Sequence, residues 1–474
     1  LRNQQPFFAT LSAVFTLSVG LVRASPPDSL WSHTYGGSSY EYCNAVQCTQ
    51  DRGYALAGET SSFGAGGYDF WLVKTDSNGD SLWSRTFGGA DHEYCMSLSV
   101  QPGTIGGYVL AGKTRSFGAG EYDFWLVKAS RCGDSLWSRT YGGIDHEACQ
   151  SVQPTPDGGY ALGGWTRSFG SGQDDFWLVK TNAYGDSLWS RTFGGSGEDV
   201  CRAIQRTPDG GYILAGYTTS FGAGSYDFWL VKTNANGDSL WSRTYGGTSW
   251  DRCTSAMRTA DGGYILAGHT ASFGSGQDDF WLVKTDANGD SLWSRTFGGT
   301  DPDWCIAMRQ TADHGYIMAG YTESFGMGKK DAWLVKADAN GNSLWSRTFG
   351  GMEDDYGRSV VQTPGGGYAM AGYTRSFGAG LADFWLVGTG PEAPYYATDY
   401  LNLAGTNLVV RWIAPQTCSY LVYTTTEPNN VSDPPGPGWT LGVTLPVVPA
   451  GPASWLDPAP IVPYKKYVVV MSCP

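Results

Sequence analysis

A 52-residue repeat built on two tryptophans, four strand-like runs inside each repeat, and an incomplete repeat at each end of the array predict an all-β protein. The fold expected is a seven-bladed β-propeller whose N-terminal strand closes the last blade, followed by a small C-terminal β-sandwich. The first tryptophan series, in SLWS, is Trp31, Trp83, Trp137, Trp189, Trp241, Trp293 and Trp345. The second, in D-F/A-WLV, is Trp71, Trp125, Trp177, Trp229, Trp281, Trp333 and Trp385. Every step is 52 residues except a single step of 54 in each series. Residues 190–241 and 242–293 agree at 36 of 52 positions, which marks a duplicated unit rather than chance periodicity.

The chain opens with a mostly apolar run from Pro6 to Val22, preceded by Arg2 and ending in Val22-Arg23-Ala24. Small residues at −3 and −1 of a cleavage after Ala24 are expected of an export signal over 1–24. The mature chain is then expected to be exported and to carry no transmembrane segment.

Within the fourth unit, Cys201–Thr207 (CRAIQRT) leads to the turn Pro208-Asp209-Gly210-Gly211 and then to Tyr212–Thr218 (YILAGYT). A glycine loop, SFGAGSY, precedes Asp227–Thr233 (DFWLVKT), the turn Asn234-Ala235-Asn236-Gly237, and Ser239–Tyr245 (SLWSRTY). DGG and NGD are hairpin signals because Gly and Asn tolerate positive φ. Alternation in DFWLVK places Phe and Leu on one face and Trp and Val on the other, so this strand is apolar on both sides and belongs inside a packed sheet. Four short antiparallel strands packed between like neighbours make a propeller blade. The array starts on a lone SLWS strand (29–35) and ends on three strands (357–387) with no fourth. Each end supplies what the other lacks, so the ring closes without capping repeats.

The units resemble bacterial secreted propeller repeats carrying T-x-DGGY-x-x-AG and D-x-W-L-V-K and, more distantly, the quinoprotein-type repeat, over roughly residues 28–388. That resemblance implies a fold and leaves function open. After Pro391–Pro394 the repeat stops. Leu401–Trp412, Cys418–Thr424 and Tyr464–Ser472 read as strands, and with Trp412 and the run Tyr420–Tyr423 they resemble a fibronectin type III-like sandwich over 391–474. The domains expected are thus 1–24, 28–390 and 391–474.

Net charge is −13. Residues 1–24 contribute +2 and residues 392–474 contribute −2, so the propeller carries the whole deficit. An acidic body without a basic stripe excludes nucleic acid as a partner and is compatible with basic partners, cations or neutral glycans.

Six of the ten cysteines recur in register at Cys43, Cys95, Cys149, Cys201, Cys253 and Cys305, where blade seven has Gly357. A small buried residue between blades accounts for them. A disulfide is expected between Cys418 and Cys473 on neighbouring sandwich strands, while Cys48 and Cys132 have no repeat counterparts.

The turn D/N-x-N-G-D recurs at Asp76-Asn78-Asp80, Asn234-Asn236-Asp238 and Asp286-Asn288-Asp290. Oxygen-rich turns of this kind are the sequence's candidates for Ca²⁺, of which Asp76, Asn78, Asp80, Asp286, Asn288 and Asp290 are the donors; a plain hairpin turn is the expected role, and no cofactor is expected. One Asp per blade (Asp69, Asp123, Asp175, Asp227, Asp279, Asp331, Asp383) precedes the third strand, where it is expected to hold the glycine loop through backbone N–H groups.

The loop between blades varies most and is acidic. Its residues, the candidate ligand-binding set, are Asp91, His92, Glu93, Asp145, His146, Glu147, Glu198, Asp199, Asp251, Asp301, Asp303, Glu353, Asp354 and Asp355. Propeller topology brings this loop and the SFGxGxx loop to one face and the DGG and NGD turns to the other. His92 and His146 occupy matching places beside carboxylates and form a possible metal pair. Catalysis has little in its favour: five histidines and no G-x-S-x-G, HExxH or phosphate loop. The function expected is a monomeric, non-catalytic, exported or bacterial cell-surface scaffold that offers one variable face to a protein or glycan ligand. The alternatives are a carbohydrate-active enzyme with axial carboxylates and a passive spacer.

Overall fold

The computed structural model describes residues 26–101 and 106–392 with their side chains, and the backbone of the strands between Tyr400 and Ser472. Seven four-stranded antiparallel sheets form the propeller. The fourth blade is Asp199–Arg206, Tyr212–Thr218, Asp227–Thr233 and Ser239–Tyr245, hydrogen-bonded in that order. Its first strand begins two residues earlier than the sequence indicates, because the acidic residue before the cysteine is already paired, Asp199 opposite Thr218. A bulge between Cys201 and Ala203 recurs in the first strand of every blade, between Cys253 and Ser255 in the fifth for example, and bends that strand.

Ser29–Tyr35 is the outer strand of the last blade, beside Asp383–Thr389, with Ser32 opposite Val387 and Trp385 Nε1 donating to Ser32 Oγ at 2.8 Å. The ring is thus closed by the start of the chain, as the two incomplete repeats require. First strands of successive blades contact one another around the ring, so they line the axis, and SLWS strands form the outer rim.

The core lies between blades. Second and third strands are buried on both faces. Phe228 of blade four packs on Trp281 of blade five with ring centroids 4.6 Å apart, and the same pair recurs as Phe70–Trp125, Phe124–Trp177, Phe176–Trp229 and Phe384–Trp71. Each pair is worth about 0.5–1.5 kcal/mol beyond the area it buries. The register cysteines are fully buried free thiols in these interfaces, with burial pushing Cys201 and its equivalents well above the ordinary thiol range.

A separate unit holds two three-stranded sheets. One is Tyr400–Ala404, Asn407–Ala414 and Gly451–Leu456; the other is Thr440–Val448, Cys418–Thr425 and Lys466–Ser472. Pairing of the last two strands begins at Ser419 opposite Ser472. The side chain of Cys418 and all of Cys473, like residues 1–24, lie outside the described residues. No helix of the described residues is long and apolar enough to cross a membrane.

Candidate functional site: the loop face of the propeller

On one face the loop entering each blade meets the glycine loop of the blade before it. Short parallel bridges join them, Tyr68 to His92, Tyr122 to His146, Asp174 to Glu198 and Tyr226 to Trp250. At the fourth junction the backbone N–H of Asp251 donates to Tyr226 O at 2.8 Å. The DGG and NGD turns lie at the other ends of the same strands.

A repeated carboxylate frame supports these loops. Asp227 Oδ2 accepts from the N–H groups of Ala223 (2.9 Å) and Gly224 (3.0 Å), and its equivalents do the same, which is the role expected for one Asp per blade. The acidic residue that opens the next blade's first strand completes the frame. Asp251 Oδ2 accepts from Gly247 N (2.8 Å) and Ser272 Oγ (2.7 Å), and Oδ1 takes the Thr270 hydroxyl. The first glycine of each GG pair runs between these carboxylates, and a Cβ added at Gly246 would collide with both Asp227 and Asp251. Asp227 Oδ1 is buried without a hydrogen-bond partner. Burial, with Asp251 close by, pushes Asp227 above the usual carboxylate range despite its two N–H donors.

This divides the fourteen sequence candidates. Glu93, Glu147, Asp199, Asp251, Asp303 and Asp355 are all 0% exposed, and their oxygens serve the loops. All six are enclosed by the loops they hold, so their place in the structure is that of positioning residues beneath the face. The remaining eight stand on the face. Asp91 pairs with Arg115 (3.6 Å), His146 Nε2 with Glu121 (3.1 Å), Glu353 with Lys329 (3.3 Å) and Asp354 with Arg375 (3.5 Å). Glu198 accepts from the Tyr226 hydroxyl at 3.0 Å, and the Asp301 N–H donates to Ser324 Oγ at 3.1 Å. His92 and His146 each pack on the tyrosine of their own junction, Tyr68 and Tyr122, at 5.6 Å.

The calcium candidates lie on the opposite face. Asp76 Oδ1 accepts from the N–H groups of Asn78 (2.8 Å) and Asp80 (2.9 Å); Asp286 does likewise for Asn288 and Asp290, and Asp290 pairs with Arg243 at 3.2 Å. Such turns cap themselves. Among the described residues no three His, Cys, Asp or Glu side chains converge as a metal-ligand set.

No family model matches the chain. A curated relative, the regulatory protein FlaEY of Caulobacter vibrioides, is 26% identical over 249 residues, 48% of this chain, and the match spans 23% of that protein's length. Similar solved structures include the Pan2 WD40 domain of Neurospora crassa (10% identity, TM-score 0.42, 73% of this chain and 89% of that one). Another is PorZ, a surface component of the type-IX secretion system of Porphyromonas gingivalis (11% identity, TM-score 0.44, 92% and 60%). A third is BBS1N in complex with ARL6 (10% identity, TM-score 0.47, 78% and 98%).

Toward the axis the structure adds residues that the acidic-loop reading misses. At four junctions the second residue of the first strand packs on the sixth residue of the previous blade's second strand. These pairs are Arg252 with Tyr217, Trp304 with His269, Tyr356 with Tyr321 and Tyr42 with Tyr373. The scaffold around them repeats almost unchanged, yet from blade to blade these two positions exchange Arg, Trp, Tyr and His. Variation across repeats at these two positions was the available signal; attention to charge alone passes over it because most of the residues are aromatic. Two buried groups here are strongly perturbed. Burial, only partly offset by Arg358, Asn44 and Lys113, raises Glu59 to about 8, and burial with Arg252 and Arg202 nearby lowers His269 to about 3.

Proposed function

We propose that this chain is an exported, non-catalytic scaffold that binds a protein or glycan ligand on the loop face of its propeller, at or beyond a bacterial cell surface. The observation that carries this reading is the layering at each blade junction. A repeated carboxylate and glycine frame fixes two loops, and the residues displayed above that frame differ from junction to junction. A rigid scaffold with diversified side chains is how recognition surfaces are built.

The enzymatic alternative requires two cooperating carboxylates at the axis. The acidic residues that open the first strands are committed to holding the loops, and apart from them the first and second strands hold one carboxylate, Glu59, which supports the binding role. A passive spacer would have no reason to diversify one face. The test is a screen of the full chain against polysaccharides and cell-envelope proteins, with and without Ca²⁺, alongside Trp250→Ala on the loop face and Asn236→Ala on the turn face. A ligand lost with the first variant and kept with the second supports the reading. A ligand that responds only to the turn-face variant, or no ligand at all, overturns it.

A further inference from the structure

The axial wall of the loop face holds cations in an otherwise acidic propeller. Lys113, Arg202, Arg252 and Arg358 project from the first and second strands of four blades. Cations farther out, Arg115, Arg167, Lys330 and Arg375, each have a carboxylate within ion-pair distance. Among the described residues the four inner ones have none; Arg202 donates to the Gln150 side-chain oxygen at 3.0 Å, and Nε of both Arg252 and Arg358 is buried with no hydrogen-bond partner.

What surrounds these cations is aromatic. The Arg252 guanidinium lies 4.3 Å from the Tyr226 ring centre, 5.1 Å from Trp250 and 5.3 Å from Tyr217. Lys113 Nζ lies 4.5 Å from Tyr122 and 4.8 Å from Tyr94, and Arg358 lies 5.4 Å from Tyr373. Cation–π contact holds a charge in place without neutralising it. The arrangement is therefore a set of oriented cations with no carboxylate at ion-pair distance, beside flat apolar rings, with Glu59 the buried acid nearest Lys113 and Arg358, and Trp250 is half exposed.

We propose that this axial mouth binds a uronate-containing polysaccharide, with carboxylates on Arg252, Arg358 and Lys113 and sugar faces on Trp250 and the tyrosines. This inference rests on the ligand-binding reading above and gives it a chemical class. Guanidinium groups suit carboxylates because their N–H fork matches both oxygens. A sugar ring brings an apolar C–H face for the aromatic surfaces, whose amphipathic character fits a partly wet site. An acidic peptide fits less well. Peptide capture commonly adds backbone pairing to a sheet edge, and on two of the inner strands an edge carbonyl is already occupied: Asn44 Nδ2 donates to Cys95 O at 2.9 Å and Thr254 Oγ1 to Cys305 O at 3.0 Å. Net charge of −13 on the chain would repel a polyanion elsewhere, so attraction is confined to the mouth.

The experiment is calorimetric titration of the full chain with polygalacturonate, hyaluronate, dextran and poly-L-glutamate, at low and at physiological salt. The expected result is binding of the two uronate polymers, weaker at higher salt, with no binding of dextran or poly-L-glutamate. Arg252→Gln and Trp250→Ala should each weaken it roughly tenfold or more, with near-ultraviolet circular dichroism unchanged and Asn236→Ala neutral. Equal binding of poly-L-glutamate would overturn the glycan class. Binding of dextran alone would overturn the charge argument while leaving the loop-face reading intact. Uronate binding insensitive to both variants would overturn the location. Absence of all binding would overturn this inference, and the envelope-protein screen would then decide the wider reading separately.

Discussion

Replacing Phe228 with alanine tests what holds neighbouring blades together. The ring is fully buried, lies 4.6 Å from Trp281 of the next blade, and covers Gly268, where an added Cβ would strike its Cζ. Truncating a buried phenylalanine costs about 3–5 kcal/mol, of which about 0.5–1.5 kcal/mol belongs to the ring pair. The protein holds an internal comparison. At the junction of blades six and seven the equivalent residue is Ala332, also fully buried, so blade six sets no phenylalanine against Trp385. There the neighbours differ too: Gly357 replaces the register cysteine, Met370 replaces leucine, and the Met370 sulfur lies over Gly357. Alanine is thus accommodated by a local rearrangement that blade five does not have. Phe228→Ala is expected to lose about 3–5 kcal/mol in a urea titration followed by tryptophan fluorescence, with the slope unchanged. Adding Leu266→Met should return about 1 kcal/mol, because a flexible thioether fills part of the gap. If unfolding is irreversible, the unfolding rate at fixed denaturant reports the same loss. A loss below about 1 kcal/mol would refute the claim that the Phe–Trp contacts hold the blades.

Arg52 and His314 take φ of 68° and 63° at the turn position where Gly158, Gly210 and Gly262 stand, so Arg52→Gly and His314→Gly should each stabilise by about 0.5–1 kcal/mol; an unchanged or lower melting temperature would contradict this. The junction aspartates have folded pKa values raised by burial, so the stability they hold is complete below the ordinary carboxylate range and falls as pH rises through the raised values. Asp227→Asn removes that titration, so its melting temperature should decline less than the parent's as pH is raised from the ordinary Asp value of about 4; an equal decline would count against the paired carboxylates. The DGG aspartates have the opposite sign. At Asp209 burial pulls upward, but Lys232, Thr207 and the Gly211 N–H outweigh it and bring the carboxyl to about 2, so this stability is present above the ordinary range and lost as pH falls toward 2. For the tail, thiol titration of the unreduced, unfolded chain should find eight of the ten cysteines, the bridge Cys418–Cys473 removing two; ten reactive thiols would exclude it.

The propeller was legible because its signals are redundant. Seven SLWS runs, seven WLV runs and two complementary partial repeats all specify one closed ring, and DFWLVK shows burial on both faces by alternation alone. The first-strand bulge was not legible, since Cys201-Arg202-Ala203 carries no glycine or other turn residue to mark it. The candidate site is less legible than the fold. Sequence places the variable loops on one face, yet charge does not distinguish Glu198, which stands at the surface, from Asp199, which is buried beneath it. That difference lies in strand phase: the residue at which pairing begins points inward, and its predecessor does not. The axial aromatics were hidden for a related reason. Tyr217, His269 and Tyr321 fall inside strands that look like uniform core, and only the ring brings them against Arg252, Trp304 and Tyr356.

The pairing of Ser29 with Thr389 has a temporal side. The strand that finishes the circle is the first propeller segment to leave the ribosome, and its partner is the last. Until Asp383–Thr389 appears, an extended segment with exposed Leu30 waits unpaired while six sheets accumulate behind it. Joining ends this far apart carries a high contact order, which slows the last step, although the entropy of closure grows only logarithmically with length. Once joined, the circle has no terminal sheet from which to fray, so release of any blade requires the seam to part or a core interface to open. A permuted chain beginning at an NGD turn of another blade would move that seam elsewhere while keeping all seven sheets, and its refolding rate would show how far the wait for the final strand sets the pace of assembly.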